Sequence, residues 1–393
     1  MPSLYVHVPF CVRKCSYCAF YSLPLGGEGS ERGNIFKYLT GLEREIEYCY
    51  TEAPAGVSSL FLGGGTPTVL NYQELDSLLK LIHNRFSFRS SVESLSIEKT
   101  VEANPGTIDQ EKLAVLRHYG MNRISLGAQS FNDDQLQSIG RIHTSADIEL
   151  GVKLIREAGF INLNLDLIFG LPGQTMEDWK TTVNRAVSLT PEHISIYALT
   201  LEEETPLGRR YCENSPSKHD NASLPDDDLQ ADMYGWASSF LNSQGYIHYE
   251  ISNFAQAGFE GRHNLSYWQG EDYLGLGPGA VSCLNGIRVK NVQDIDLYRN
   301  NLVSGAKSLN NGEVEYLSQN QRISEYVMLG LRTTKGIKIN LFEEKFKMNI
   351  QDIYGYKLVN YIDRDILSLE DGWLKINPAY LFVSNLILQD LIL

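Results

Sequence analysis

Long apolar runs are missing from this 393-residue chain: no stretch of about 18 residues could span a bilayer, and nothing ahead of Leu4 has the apolar length of a secretory signal. Basic residues are in deficit. Thirty-four Lys and Arg stand against 48 Asp and Glu, a formal charge of -14, which is the wrong sign for a protein that gains its affinity by neutralising phosphates. Nucleic acid is therefore not an expected partner. Cysteine is scarce as well, with six in the chain, which speaks against a disulfide framework and for a reducing compartment. Internal repeats and long low-complexity tracts are absent. The 43% of hydrophobic residues suffices for one large core plus a second domain.

Against that scarcity, three cysteines crowd one loop. Cys11, Cys15 and Cys18 lie in "CVRKCSYC" directly after the strand-like run "LYVHVPF", a C-x3-C-x2-C spacing characteristic of radical S-adenosylmethionine (SAM) sites. Thiolates are the usual protein ligands of iron–sulfur clusters. Three of them hold three irons of a [4Fe-4S] cube and leave the fourth open to the amino and carboxylate groups of SAM. Structural zinc normally takes four ligands at paired spacings, whereas Cys49, Cys212 and Cys283 stand singly in unrelated contexts and read as core residues.

To about residue 200, β-branched runs ("LYVHV", "SSLFLGG", "KTVEANP", "NRISLGAQ", "INLNLDLIFG", "HISIYAL") alternate with amphipathic helical stretches. Such alternation predicts a parallel sheet, and six units are too few for a closed eight-stranded barrel. The expected class is α/β, a partial (β/α)6 TIM-like barrel over residues 1–210 followed by an α+β C-terminal domain over 229–393. Between them, 211–228 is a polar loop ending in an acidic run that suits a helix N-terminus. Its Asn221-Ala222-Ser223 sequon carries no weight without a secretory signal. The C-terminal "DGWLKI…YLFVSNLILQDLIL" predicts a short β wing beside a final helix.

Ligands gather at the carboxyl ends of strands in such sheets, and that is where the remaining motifs fall. "GGGTP" (Gly63–Pro67) lets backbone approach a ligand without a Cβ. "EANPG" puts Glu102 at a strand end, "NRISLGAQSF" supplies Ser125 and Gln129, "GRIHT" supplies Arg141, whose guanidinium suits a carboxylate, and "DLIFGLPGQT" places Asp166 inside an apolar strand. A charge there needs partners.

Taken together these motifs resemble the radical SAM family of anaerobic, oxygen-independent coproporphyrinogen III dehydrogenases (HemN-type) and their HemW relatives, over nearly the whole chain. The resemblance implies that Tyr5, Gly64 and Glu102 contact a cluster-bound SAM, that Gly65, Thr66, Gln129, Arg141, Asp166 and Ala198 match positions holding a second SAM in the dehydrogenase, and that His7 lies beside the cluster. It also implies electron transfer from the cluster into SAM. Two departures favour the haem-chaperone branch: Ala19 and Phe20 follow Cys18 where the dehydrogenase pattern continues C-x-C, and only four residues precede Tyr5. "RHNLSYW" (Arg262–Trp268) resembles that branch's H-N-x-x-Y-W motif, with His263 the candidate axial ligand of haem. The related segment often carries a histidine after G-A, where Val281 follows Ala280 here.

The expected function is thus a haem chaperone with a SAM-ligated [4Fe-4S] cluster, delivering haem to an acceptor protein and served by an electron donor. The alternatives are a radical SAM decarboxylase of coproporphyrinogen III and, less favoured by the acidic charge, a radical SAM enzyme acting on RNA. The expected compartment is the cytoplasm, with a plastid or mitochondrion as the alternative should a transit segment be missing.

Overall fold

The computed structural model describes residues 1–25, 31–52, 56–89, 96–211, 223–304 and 312–393. Cys212, the side chain of Cys49, and residues 212–222 of the polar loop, with Asn221 and Ala222 of the sequon, lie outside the described residues.

The six sequence-predicted runs form β1 (Ser3–Val8), β2 (Ser59–Gly64), β3 (Glu98–Ala103), β4 (Arg123–Gln129), β5 (Leu163–Phe169) and β6 (His193–Ala198). They pair in chain order and every pair is parallel. Helices cross over between successive strands, several of them starting at capping boxes in which Asn71 and Glu74, Thr144 and Asp147, or Thr175 and Asp178 satisfy each other's backbone donors. The barrel stays open. Instead of meeting β6, the edge of β1 takes up a later parallel strand, and both edges of the sheet are extended by residues 247–316.

These extensions are β7 (Ile247–Glu250), β8 (Asn253–Ala255), β9 (Tyr273–Leu276), β10 (Val281–Leu284), β11 (Ile287–Asn291) and β12 (Gly312–Tyr316). The sheet runs β12-β11-β10-β9-β1-β2-β3-β4-β5-β6-β8-β7. Strand β9 is parallel to β1, whereas β8 is antiparallel to β6. Beyond it, a second hydrophobic core gathers around Phe342, Phe346 and Leu374. It contains the helix Gln319–Gly330 and a small sheet of β13 (Ile337–Lys338), β14 (Leu367–Glu370) and β15 (Trp373–Ile376), with the final helix Ser384–Asp390 beside it. The acidic run after the polar loop starts a helix at Asp227, capped by Asp226.

Strand periodicity of two explains why this sheet can carry a site. On one face, Leu4, Val6, Leu60, Leu62, Val101, Ile124, Leu126, Leu165, Leu167, Ile194 and Ile196 are fully buried, each contributing roughly 1.5–3 kcal/mol of hydrophobic stabilisation. The alternate positions fall in register on the other face: Tyr5, Phe61, Thr100 and Arg123 in one row, Ser125, Asn164 and His193 in the next, and Gly127, Asp166 and Ser195 beyond. The inner face is polar and the outer face is aliphatic.

Candidate functional site

The cysteine loop leaves the carboxyl end of β1, and its three thiols are half-buried and unpaired. Thr66 donates to Cys11 Sγ at 3.7 Å and Arg141 donates to Cys15 Sγ at 3.5 Å. Asn104 joins the two donors, giving its amide to Thr66 Oγ1 at 2.7 Å and accepting from Arg141 at 2.6 Å. A continuous relay, Cys11–Thr66–Asn104–Arg141–Cys15, therefore fixes the spacing of two thiols. The Arg141 guanidinium also donates to the Gly127 carbonyl at 2.6 Å, leaving only its Nε without a partner. Burial pushes the Cys11 and Cys18 thiols up, and the neighbouring thiols add to the rise. Among the described residues no three His, Cys, Asp or Glu side chains converge closely enough for a single metal ion; three thiols strung along one loop suit a polynuclear cluster, whose ligands bind different irons.

The glycines of "GGGTP" have a packing duty that the sequence did not reveal. A Cβ on Gly65 would stand 2.4 Å from the Phe10 carbonyl oxygen and 2.8 Å from its nitrogen. The strand end must pass this close because Thr66 N–H bonds to Phe10 O at 2.7 Å, immediately before Cys11. Gly65→Ala is accordingly expected to destabilise the fold by about 1–3 kcal/mol and to lower the iron retained after reconstitution, as read by denaturation midpoint and iron assay. An unchanged midpoint would show that the Cys11 loop yields freely.

Beside the thiols lies a cavity of about 640 Å³ whose lining includes Tyr5, Gly64, Gly65, Thr66, Glu102, Gln129, Arg141, Asp166 and Ala198. The structure thus gathers these sequence-predicted residues around one space. Glu102 accepts from Gly64 N–H at 3.0 Å. Burial, reinforced by Asp166, pushes its carboxyl up to about 8, against the pull of the Gly64 N–H and Arg123. Asp166 has the hydroxyl partner its position demanded: Ser125 donates at 2.9 Å and Asn164 at 2.8 Å. Burial nevertheless raises its pKa. Gln129, buried at the end of β4, takes a left-handed φ of 68° where the register with β5 slips by one residue, a bulge that re-aims a side chain at a strand end.

His7 donates from Nε2 to the Tyr21 carbonyl at 2.9 Å, so its Nδ1 accepts from the Tyr5 hydroxyl at 3.0 Å. Burial lowers the His7 pKa, keeping the ring neutral.

Five polar residues of the cavity region receive no role from motif spacing, although Asn104 and Arg123 lie within "EANPG" and "NRISLGAQSF". Arg123, Asn164, His193 and Ser195 meet through strand register, and Asn104 joins them from just past the end of β3. The one available signal was polar residues two apart in apolar strands, Asn164 with Asp166 and His193 with Ser195, which share a face. Tyr249 donates to His193 Nε2 at 2.8 Å while accepting from Gly261 N–H, and His193 Nδ1 is bonded to Asn164 Oδ1 at 2.6 Å. Burial holds this imidazole neutral, its pKa well below the usual range.

A second, larger cavity of about 1040 Å³ abuts the first, and the two share Tyr5, Ala19, Phe20, Phe61 and Asn264. Phe20 is 72% exposed. His263 lies in its wall, on the helix Arg262–Trp268, whose first N–H groups are held by the Glu98 carboxylate. Its imidazole stacks on Phe61 at 5.0 Å, bonds through Nδ1 to Ser59 Oγ at 2.8 Å, and pairs Nε2 with the Tyr267 hydroxyl at 3.0 Å. Burial and Arg123 depress its pKa to about 3. Val281 and Cys283, half-buried, also line this cavity.

The comparisons with known proteins agree on the family. A model described as the radical SAM superfamily matches residues 5–186, and one described as the HemN C-terminal domain matches residues 317–382. Heme chaperone HemW of Lactococcus lactis is 38% identical over 365 residues, 93% of this chain and 90% of that protein. The HemW of Bacillus subtilis is 36% identical over 370 residues, 93% of each chain. Among solved structures, the coproporphyrinogen III oxidase HemN of Escherichia coli, a radical SAM enzyme, superposes with a TM-score of 0.83 at 24% identity, covering all of this chain and 90% of that one, a likeness of fold. Parallel sheet, cysteine loop and sequence similarity over nearly the full length lead to one conclusion: this chain belongs to the HemW family of radical SAM proteins.

Proposed function

We propose that this protein is a haem chaperone that keeps a [4Fe-4S] cluster and SAM in one cavity and haem in the next. The observation that carries the reading is His263: a neutral imidazole in the wall of a 1040 Å³ aromatic cavity that shares residues with the cysteine-lined one. Neutral imidazole is the form that ligates iron, and a pKa near 3 keeps it so at any physiological pH. Nδ1 is occupied by Ser59, which orients the ring, and Nε2 is free to exchange the Tyr267 hydroxyl for a metal.

In the smaller cavity Cys11, Cys15 and Cys18 would hold the cluster, with Thr66 and Arg141 fixing two of them. The cluster supplies an electron to SAM when both are bound. Glu102, protonated at neutral pH when alone, is suited to accept a hydrogen bond from the amino group of the cationic SAM and to give up its proton in doing so. Tyr5, Gly64 and the inner-face hydroxyls and amides around Asp166 would bind the rest of the SAM molecule or a second one, and the enclosing strands exclude water. A haem-acceptor protein and an electron donor complete the reading. No helix among the described residues is long and apolar enough to cross a membrane, and the cytoplasm is the compartment we infer.

Anaerobic haem titration of the cluster-reconstituted protein tests this. The wild type is expected to bind haem stoichiometrically with a shifted Soret band, and His263→Ala to weaken binding at least tenfold while coproporphyrinogen III yields no product. Catalytic protoporphyrinogen formation without tight haem binding would replace the chaperone with the decarboxylase.

A further inference from the structure

We propose that Arg322 and Lys345 form a carboxylate receptor at the rim of the larger cavity, taking the two propionates of a metalloporphyrin whose iron faces His263. This rests on the haem reading of that cavity and adds the orientation of its ligand. Both cations line the cavity and both belong to the C-terminal core: Arg322 on the helix Gln319–Gly330 and Lys345 on the helix Ile339–Phe346.

What marks them is missing neutralisation. The natural partner of Arg322 is Glu325, one helical turn on, but Arg288 holds both Glu325 oxygens, at 2.7 and 2.6 Å, and also bonds Glu315 at 2.9 Å. The Arg322 stem packs instead over Gly286, 3.2 Å from where a Cβ would be, a residue with no side-chain acceptor. Lys345 donates to the Gly270 carbonyl at 2.7 Å and lies 4.9 Å over the Tyr326 ring. Neither cation has a carboxylate within salt-bridge distance among the described residues. Glu271 and Asp272 also line the cavity and attract Lys345 from farther off, while Arg322 repels it and burial pushes its pKa down.

Tyr326 lies one helical turn after Arg322 and carries Lys345 on its ring, and the two cations are close enough to repel each other. In a chain with a formal charge of -14, two adjacent cations that line an aromatic cavity with no ion-pair partner among the described residues fit a flat ligand with carboxylates on one edge. Charge-assisted hydrogen bonds of this kind are stronger than neutral ones. Phe61 and Tyr267 beside His263 line the same cavity and supply the apolar faces and the metal ligand.

Haem and its dimethyl ester, which keeps the iron and the ring but lacks the charges, separate the contributions. Wild type is expected to bind haem about tenfold or more tighter than the ester. Arg322→Gln/Lys345→Gln should lose that preference, binding both with the affinity wild type shows for the ester, and Arg322→Lys should retain most of it. His263→Ala should weaken both ligands alike. Equal affinity of wild type for haem and ester, or an unchanged preference in the double variant, would overturn the receptor while leaving the haem reading intact. Flat titrations with both ligands would overturn the haem reading and the receptor with it.

Discussion

Replacing any one of Cys11, Cys15 and Cys18 by alanine is expected to take the iron held after anaerobic reconstitution from about four per chain to near zero, together with the broad visible absorption of the cluster. The reason is geometric as well as chemical. The thiols lie on a single loop, two of them are tied into the Thr66–Asn104–Arg141 relay, and Cys283, the other free thiol among the described residues, lines the larger cavity and cannot replace a missing sulfur. Cys283→Ala serves as the control, since that thiol lines the larger cavity and not the smaller; its iron content should match wild type. A Cys18→Ala protein with its full complement of iron would show that the cluster reading of the loop is wrong.

The second large effect is expected at Glu102. Its folded carboxyl titrates at about 8 against an ordinary value of 4.5, because burial disfavours the charged form and Asp166 adds like charge, outweighing the Gly64 N–H and Arg123. Between roughly pH 4.5 and 8 the folded protein therefore binds more protons than the unfolded chain, and stability falls as pH rises through that window. Above pH 8 the whole cost is present, on the order of 3–5 kcal/mol at 1.36 kcal/mol per unit. Glu102→Gln should match wild type at pH 4 and exceed it in stability at pH 8.5 by a few kcal/mol in urea denaturation. Asp166 is coupled to Glu102 by like charge, so the substitution relieves it as well and the difference reports the pair. Should the two proteins show parallel stability profiles, Glu102 would be ionised in the fold. The same residue predicts that SAM binding at pH 7 releases close to one proton more from wild type than from the Gln variant, seen by calorimetry in buffers of different ionisation enthalpy.

His263 shows how far a motif can be carried and where it stops. Its sequence context placed an imidazole among aromatics. Its neutrality, its Ser59 anchor and the Phe61 stack come from strands 200 residues away in the chain, and sequence spacing has no access to them. Arg141 makes the opposite point. A guanidinium suited to a carboxylate is, in the fold, largely occupied by Cys15, Asn104 and Gly127, because the loop after β4 brings it back over the cysteine loop. "EANPG" was read for Glu102, yet Asn104 two residues on joins the thiols' donors. Only the approach of β2 and β3 ends makes that contact.

By itself the sequence determined the chemistry that is local. Three thiols within eight residues, glycines at a strand end and alternating strand and helix periods depend on neighbours close in the chain, and they sufficed for the cysteine loop, the six parallel strands and the family. Tertiary structure alone decided what depends on register: that Tyr5, Phe61 and Arg123 share one row and Asn164 and His193 another, that a later strand occupies the edge of β1, and that two cavities meet at Phe61 and Phe20. Which residues line a common space is fixed by how strands pair and helices pack, through contacts hundreds of residues apart in the chain.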